Sequence, residues 1–176
     1  MQAKLPIVYA STSGNVEFTC ESAAAVWEER GISCQLLRAE VAPVKVLADN
    51  VIFVLATSTW EHGVLNPFFQ PWVEYMQTHS MAGKKALMIG LGDMRYERFL
   101  FNQGYKHLLS FFTEAGGIQI GKPLLLNGQP YDQLEQRIIP WAESEATELS
   151  DLLADPARVA QLPAKQTSTT TQSHRT

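Results

Sequence analysis

The sequence predicts an α/β fold: a doubly wound, five-stranded parallel sheet with helices on both faces. Short apolar segments alternate along the chain with longer segments that carry one apolar face. The short segments are apolar almost throughout, which is typical of strands buried on both sides of a parallel sheet. Because crossovers between parallel strands are right-handed, the intervening helices are expected to cover both faces.

Five segments are predicted as strands because each is short and almost continuously apolar. They are Leu5–Ala10, Ile32–Arg38, Asn50–Thr57, Lys84–Gly90 and Ile118–Leu126. In such sheets, ligands bind beyond the carboxyl ends of the strands, where the strand order reverses. The loops after strands one, three and four, at 11–16, 57–63 and 91–99, are therefore expected to meet at one site.

The segments between the strands are predicted as helices: Val16–Arg30, Pro43–Ala48, Asn66–His79, Phe99–Ala115 and Tyr131–Leu153. Gly31 and Gly116–Gly117 are typical residues for a helix end. Pro67 suits a first turn, whereas Pro71 is expected to bend the third helix or delay its start. Pro140 is expected to interrupt the last helix for the same reason.

The 176 residues suffice for one domain, predicted at 1–153, followed by a disordered polar tail at 154–176. No apolar run approaches the roughly 20 residues of a membrane span, and no secretory signal is visible. Cys20 and Cys34 lack a metal-type spacing and are interpreted as free thiols in a reducing compartment. A net charge of −4 argues against a nucleic acid partner. We therefore expect a cytoplasmic protein.

The first strand runs directly into a turn rich in hydroxyl groups, and a helix begins near Val16. Such a turn can bind a phosphate through hydrogen bonds and the dipole of the helix start. It contains no Lys or Arg, and it matches neither the ATP-type nor the dinucleotide-type glycine motif. The turn favours a monophosphate, although an ordinary N-cap remains the alternative. Its residues are Ser11, Thr12, Ser13, Gly14 and Asn15.

The two other loops each place an aromatic residue at the same end of the sheet. One contains Ser58, Thr59, Trp60, Glu61, His62 and Gly63, and the other contains Gly92, Asp93, Tyr96 and Phe99. Two aromatic side chains beside a phosphate site suit a planar ring with a phosphorylated tail. The alternatives are that Trp60 fills the core, that Tyr96 is a surface residue and that His62 is simply solvated.

These three loops resemble those of the flavodoxins, small proteins that carry electrons on non-covalently bound FMN. Residues 11–15 resemble the phosphate loop of that family, residues 58–60 its inner aromatic loop, and Gly92, Asp93 and Tyr96 its outer aromatic loop. The resemblance covers residues 5 to about 153. It implies the strand order 2-1-3-4-5 and FMN as the cofactor. The fifth strand leaves no room for the long insertion of the larger members, so the chain resembles the short-chain class.

The chain departs from the family pattern at three places. Val16 replaces a residue that is commonly Thr or Ser, and Arg95 and Arg98 stand in a loop that is usually acidic. Glu61 replaces a residue that is often Gly or Asn. In the family, the peptide after the inner aromatic residue can turn its carbonyl toward the flavin, and the flipped form often needs a positive φ, which Glu is expected to resist.

The sequence contains no catalytic triad, metal cluster or acid pair at a cleft. The chemistry would then belong to the cofactor. The first hypothesis, which the resemblance implies, is a monomeric, low-potential, one-electron carrier. A ferredoxin-type or NADPH-dependent flavin reductase would be the donor and a redox protein the acceptor. The second hypothesis is an FMN-dependent quinone or nitro reductase on the same fold, which would need one open face of the flavin. The third is an interaction protein that kept the fold without redox activity.

Overall fold

The computed structural model describes residues 4–95 and 98–161. Its sheet has the predicted parallel order, β2-β1-β3-β4-β5, with β6 also paired to β4. Helices lie on both faces, so the predicted doubly wound fold is confirmed. The strands are β1 Leu5–Ala10, β2 Cys34–Arg38, β3 Ile52–Ser58, β4 Lys85–Gly92, β5 Ile118–Gln119 and β6 Leu124–Asn127.

The helices predicted at Asn66–His79 and Phe99–Ala115 each begin four residues later in the structure, at Gln70 and Gln103. Pro71 lies in the first turn of α3, where its missing N–H is tolerated, and a 3₁₀ turn at Pro67–Phe69 precedes it. Asn102 has a φ of 56° and stops helical geometry from extending upstream of α4. The helices are α1 Asn15–Glu29, α2 Val46–Asp49, α3 Gln70–Thr78, α4 Gln103–Glu114, α5 Ile139–Ala154 and α6 Pro156–Val159.

Two segments depart from the predicted secondary structure for local backbone reasons. The predicted fifth strand is two short strands, because Gly121 has a φ of 58° and Pro123 has no N–H for the ladder. Only residues 120–123 separate them, so the expected absence of a long insertion is correct. The predicted last helix starts as a 3₁₀ turn at Tyr131–Gln133 and a π turn at Leu134–Ile138, and Pro140 lies in the first turn of α5.

The sheet separates two apolar cores. Residues such as Ile7 and Val54 point toward α1 and α5, where the indole of Trp27 donates to the Ala142 carbonyl at 2.8 Å. Their neighbours point toward α3 and α4, where the indole of Trp72 donates to the Ala39 carbonyl at 2.9 Å. Strands buried on both faces end together at one edge, which fixes the positions of the three loops.

Ordered structure continues past the predicted domain boundary at residue 153. Asp155 accepts a hydrogen bond from the Arg158 N–H at 3.1 Å and caps α6. Val159 is only 3% exposed and belongs to the core on the α1 side. The sequence prediction placed residues 154–161 in the tail, whereas the structure gives them a short helix with one buried side chain. A single buried Val leaves no periodic pattern in the sequence that would predict this. Residues 162–176 lie outside the described part of the chain. Within that part, no helix has the length and apolar character needed to span a membrane.

Candidate functional site

The turn between β1 and α1 offers a set of backbone donors. Gly14, with a φ of 86°, is the N-cap residue of α1 and has no side chain to accept a hydrogen bond. Two N–H groups of the first turn bind inside the segment: Glu17 donates to Ser11 Oγ at 3.3 Å, and Phe18 donates to the Gly14 carbonyl at 2.9 Å. The N–H groups of residues 12–16 bind no acceptor in the described part of the chain. These groups can bind an anion at the positive end of the helix dipole.

The side chains of this turn serve different purposes. Ser11 and Val16 are buried, one accepting from Glu17 and the other packing in the core. Thr12 and Ser13 are exposed, and Asn15 is half-buried. The hydroxyl groups of Thr12 and Ser13 and the amide of Asn15 are therefore the side-chain donors available to a ligand.

A pocket of about 260 Å³ connects this turn with the two other loops. It brings together six of the predicted site residues: Ser13, Asn15, Ser58, Thr59, Gly92 and Asp93. Leu91, Gly128 and Gln129 complete its lining. The last two follow β6, and the Gly128 N–H donates to the Gly92 carbonyl at 2.9 Å. Sequence reasoning missed this fourth loop, whose only signal is the Asn127-Gly128 pair that follows a strand.

The Trp60 loop is a tight reversal closed by backbone bonds. The Trp60 N–H donates to the Val64 carbonyl at 2.9 Å, and the Val64 N–H donates to the Glu61 carbonyl at 3.4 Å. His62 and Gly63, with φ values of 57° and 80°, are the two central residues of the inner turn. Two successive positive φ values define a type I′ turn. The positive φ values of this loop therefore lie at His62 and Gly63, the two residues that follow Glu61.

A second pocket, of about 340 Å³, lies beside this loop. Its predicted lining residues are Thr59, Trp60, Glu61, His62 and Asp93, and sequence reasoning missed Leu100 and Phe101. Thr59 and Asp93 line both pockets, so the two adjoin. We call them the phosphate pocket and the ring pocket from here on.

Phe99 does not line either pocket, although it was predicted as a site residue. Its side chain is 96% exposed, while Phe101 faces the ring pocket. The 3₁₀ turn at Arg98–Leu100, followed by Asn102 in the left-handed region, turns Leu100 and Phe101 inward. Tyr96, the predicted outer aromatic residue, lies outside the described residues. Ser11, Thr12, Gly14, Val16 and Gly63 belong to the loops but do not line either of these two pockets.

Asp93 holds the outer loop in place. Its carboxylate accepts from the Arg95 guanidinium at 2.6 Å and from the Arg95 N–H at 2.9 Å. The hydrogen bond from Arg95 lowers the pKa of Asp93 below its usual value, despite partial burial. Asp93 therefore stays ionised at neutral pH. The next residue is tied to the β6 loop, since the Met94 N–H donates to Asn127 Oδ1 at 2.9 Å.

The start of α4 packs directly on the strand that leads into the Trp60 loop. The Gly104 N–H donates to Thr59 Oγ1 at 3.2 Å. A Cβ at residue 104 would lie 2.5 Å from the Ser58 carbonyl oxygen, closer than real Cβ atoms approach. Only Gly fits at this contact, which brings the two backbones together.

The donor set and the pocket shapes fit a phosphorylated aromatic ligand. The phosphate pocket is bordered by backbone N–H groups and by side chains that are neutral except for Asp93, with no Lys or Arg in the turn itself. Such a site binds a phosphate monoester by hydrogen bonds rather than by an ion pair. The ring pocket offers the apolar surfaces of Trp60, Leu100 and Phe101, which suit one side of a planar ring.

Comparison with solved structures shows the fold in other chains. Flavodoxin 2 from Bacillus cereus superposes with a TM-score of 0.74 at 24% identity, covering 83% of this chain and 99% of that one. A Fusobacterium nucleatum flavodoxin bound to flavin mononucleotide gives a TM-score of 0.66 at 15% identity, with coverage of 82% and 98%.

Comparison by sequence points the same way. A flavodoxin of Maridesulfovibrio salexigens is 28% identical over 150 residues, which cover 84% of this chain and 99% of the relative. NADPH-dependent diflavin oxidoreductase 1 of Cryptococcus neoformans is 27% identical over 142 residues, 78% of this chain. The match spans only 23% of that longer protein. The family model described as Flavodoxin matches residues 7–141, and the chain therefore belongs to the flavodoxin family.

Proposed function

We propose that this chain is an electron carrier that binds FMN non-covalently and passes single electrons at low potential. The observation that carries the proposal is the pair of adjoining pockets, one rich in N–H donors and one apolar, which meet at Thr59 and Asp93. Membership of the flavodoxin family and the FMN-bound structural neighbour support FMN as the cofactor.

Different residues are proposed to bind the phosphate and the ring of FMN. The N–H groups of residues 12–16, with Thr12, Ser13 and Asn15, would hold the phosphate in a geometry set by the α1 start. Trp60 would pack against the ring, and Leu100 and Phe101 would exclude water from the rest of the pocket. From its position in the sequence of the outer loop, Tyr96 is proposed to pack against the opposite face of the ring. FMN, when bound, supplies reversible one-electron chemistry at its ring.

The charges beside the ring pocket favour a low potential. Glu61 and Asp93 are among its lining residues, and the lowered pKa of Asp93 keeps that group negative. A negative charge near a ring that gains electrons disfavours the reduced state, because like charges repel more strongly in a partly desolvated site. Arg95 offsets part of this field through its bonds to Asp93.

The partners proposed are a flavin-containing reductase as donor and a redox protein as acceptor. The match to part of an NADPH-dependent diflavin oxidoreductase supports a reductase of that kind. Val64, Met94 and Phe99 are exposed apolar side chains on the loops that border the ring pocket. An exposed apolar rim of this kind suits a transient protein contact. The free thiols of Cys20 and Cys34 agree with the proposed cytoplasmic location, and the working unit is proposed to be a monomer.

Stepwise anaerobic reduction of the FMN-loaded protein tests the proposal. We expect two separate one-electron steps in the visible spectrum, and electron delivery from a flavin reductase to a redox protein acceptor. Rapid oxidation of NADPH by the pure protein with a quinone or nitro compound would instead favour an enzyme. A colourless protein that ignores added FMN would favour an interaction protein.

A further inference from the structure

A charged cluster lies directly behind the phosphate loop. Glu17, the third residue of α1, accepts hydrogen bonds from the Tyr9 hydroxyl at 2.7 Å and from Arg38 Nη1 at 3.1 Å. Arg38 stands at the end of β2, beside Tyr9 in the sheet register. It also donates from Nε to Glu40 at 2.7 Å and from Nη2 to the Ser11 carbonyl at 3.4 Å.

The cluster resolves a conflict in the electrostatics of the loop. A carboxylate in the first turn of a helix is stabilised by the dipole, but it repels a second anion bound at the same helix start. Residues 11–16 contain no cation to offset the charge of Glu17. Arg38 comes from β2, shares its charge between Glu17 and Glu40, and so offsets part of the Glu17 charge; it also reaches the backbone of Ser11, the first residue of the turn.

We propose that Arg38 is a positioning and specificity residue for the cofactor phosphate, which it serves by offsetting part of the Glu17 charge and holding the Ser11 carbonyl. The inference rests on the proposed FMN binding and extends it to a residue outside the three loops. It predicts that Arg38 matters for a flavin that carries a phosphate and not for one that lacks it.

A purely structural role explains the arrangement less well. The side chains of Arg38 and Glu17 are 41% and 30% exposed, and ion pairs of that exposure contribute little to stability. Burial, together with the hydrogen bond to Glu17, raises the pKa of Tyr9 far above its usual value, so its hydroxyl remains a donor to the carboxylate. Tyr9 and Arg38 thus hold the Glu17 carboxylate from two sides, in one orientation.

The test compares FMN and riboflavin, which differ by the phosphate alone. Dissociation constants are measured by fluorescence quenching for the wild-type chain and for Arg38→Gln, Arg38→Lys, Glu17→Gln and the double variant with both Gln changes. Arg30→Gln is the matched control, because Arg30 forms a similar exposed ion pair with Glu143 (2.9 Å) on another part of the surface.

Arg38→Gln should weaken FMN binding roughly three- to tenfold and leave riboflavin binding unchanged, because it exposes the phosphate to an uncompensated carboxylate. The double variant should recover most of that loss, and Arg38→Lys should retain most of the wild-type affinity. The loss should shrink at high salt. Arg30→Gln should bind both flavins like the wild type.

Two results would overturn the inference while leaving the proposed function intact. One is FMN affinity that is unchanged in Arg38→Gln, and the other is an equal loss for both flavins without recovery in the double variant. Thermal unfolding of each apoprotein separates misfolding from a binding effect. If Arg38→Gln does not fold, Glu17→Gln carries the test: it should bind FMN at least as tightly as the wild type, and weaker binding of FMN than of riboflavin in this variant would contradict the inference. A wild-type chain that binds neither flavin would overturn both proposals together.

Discussion

The phosphate end and the ring end of the candidate site are built in different ways. The N–H donors of the phosphate end come from one turn between β1 and α1, closed by the bonds of Glu17 and Phe18 back into the turn; the loops after β3, β4 and β6 complete the pocket beside it. The ring end is assembled from the loops after β3 and β4, in which residues 62, 63 and 102 adopt positive φ values. The donors of one end are determined by local sequence, whereas the other end depends entirely on how separate loops meet.

This difference predicts which variants act on one end alone. Changes in the turn at 12–15 should weaken binding of the phosphate and leave binding of the ring unchanged. Changes in the Trp60 loop should weaken binding of the flavin ring, whether or not the flavin carries a phosphate. The pair FMN and riboflavin therefore reports on each end separately in the predictions below.

The largest effect is expected at the phosphate end. Thr12→Ala and Asn15→Ala should each weaken FMN binding by about 1–3 kcal/mol, because a hydrogen bond to a charged group is lost. Riboflavin binding should change little. Titration of each variant with both flavins measures the effect, with Ser22→Ala as a control on the same helix, since Ser22 bonds only to the Phe18 carbonyl. Equal losses of affinity for the two flavins would contradict the proposal that the two ends of the site bind different parts of the ligand.

The next effect is expected from Trp60. Trp60→Ala should weaken FMN and riboflavin alike, by about 1–2 kcal/mol, because the ring loses an aromatic contact. It should also raise the second one-electron potential, since water then reaches the reduced ring. Potentiometric titration and the two dissociation constants measure both consequences. Potentials equal to those of the wild type would place Trp60 away from the ring.

A smaller effect is expected from the turn inside the Trp60 loop. Gly63→Ala should lower the free energy of unfolding by about 1–2 kcal/mol, because φ at this residue is 80° and Cβ would lie 3.1 Å from Leu100 Cδ2. His62→Gly is the matched control: it keeps the positive φ available and should be nearly neutral. Denaturant unfolding measures both. A neutral Gly63→Ala would mean that the loop adopts another turn in solution.

The smallest effect is expected from Asp93. Its lowered pKa, caused first by the Arg95 hydrogen bond, stabilises the fold above the unfolded pKa of about 4, and this contribution is lost as pH falls further. Because Arg95 is well exposed, the contribution should be under about 1 kcal/mol. Asp93→Asn should abolish it and flatten the acid side of a stability–pH curve. A wild-type curve that already lacks this slope would contradict the assignment.

The same contrast explains how much could be predicted from the sequence. Gly14 and Asn15 were assigned to a ligand loop because a buried strand, a turn and a helix follow one another without a gap. The sequence predicts Phe99 as a site residue. In the structure, Asn102 adopts a left-handed backbone conformation and Phe101 lines the ring pocket instead. No pattern of residues in the sequence predicts this exchange. The order of the sheet follows from apolar segments, whereas the burial of Val159 depends on a contact that only the folded chain provides.

The contact at Gly104 has a mechanical consequence. At Gly104 the helix start approaches the backbone of Ser58 too closely for a Cβ, and the Gly104 N–H donates to the Thr59 hydroxyl. Leu100 and Phe101, just ahead of that helix, and Trp60, just beyond that strand, line the same pocket. The backbone separation of these walls is therefore set by the Gly104 contact, and it changes only if the start of α4 moves relative to the end of β3.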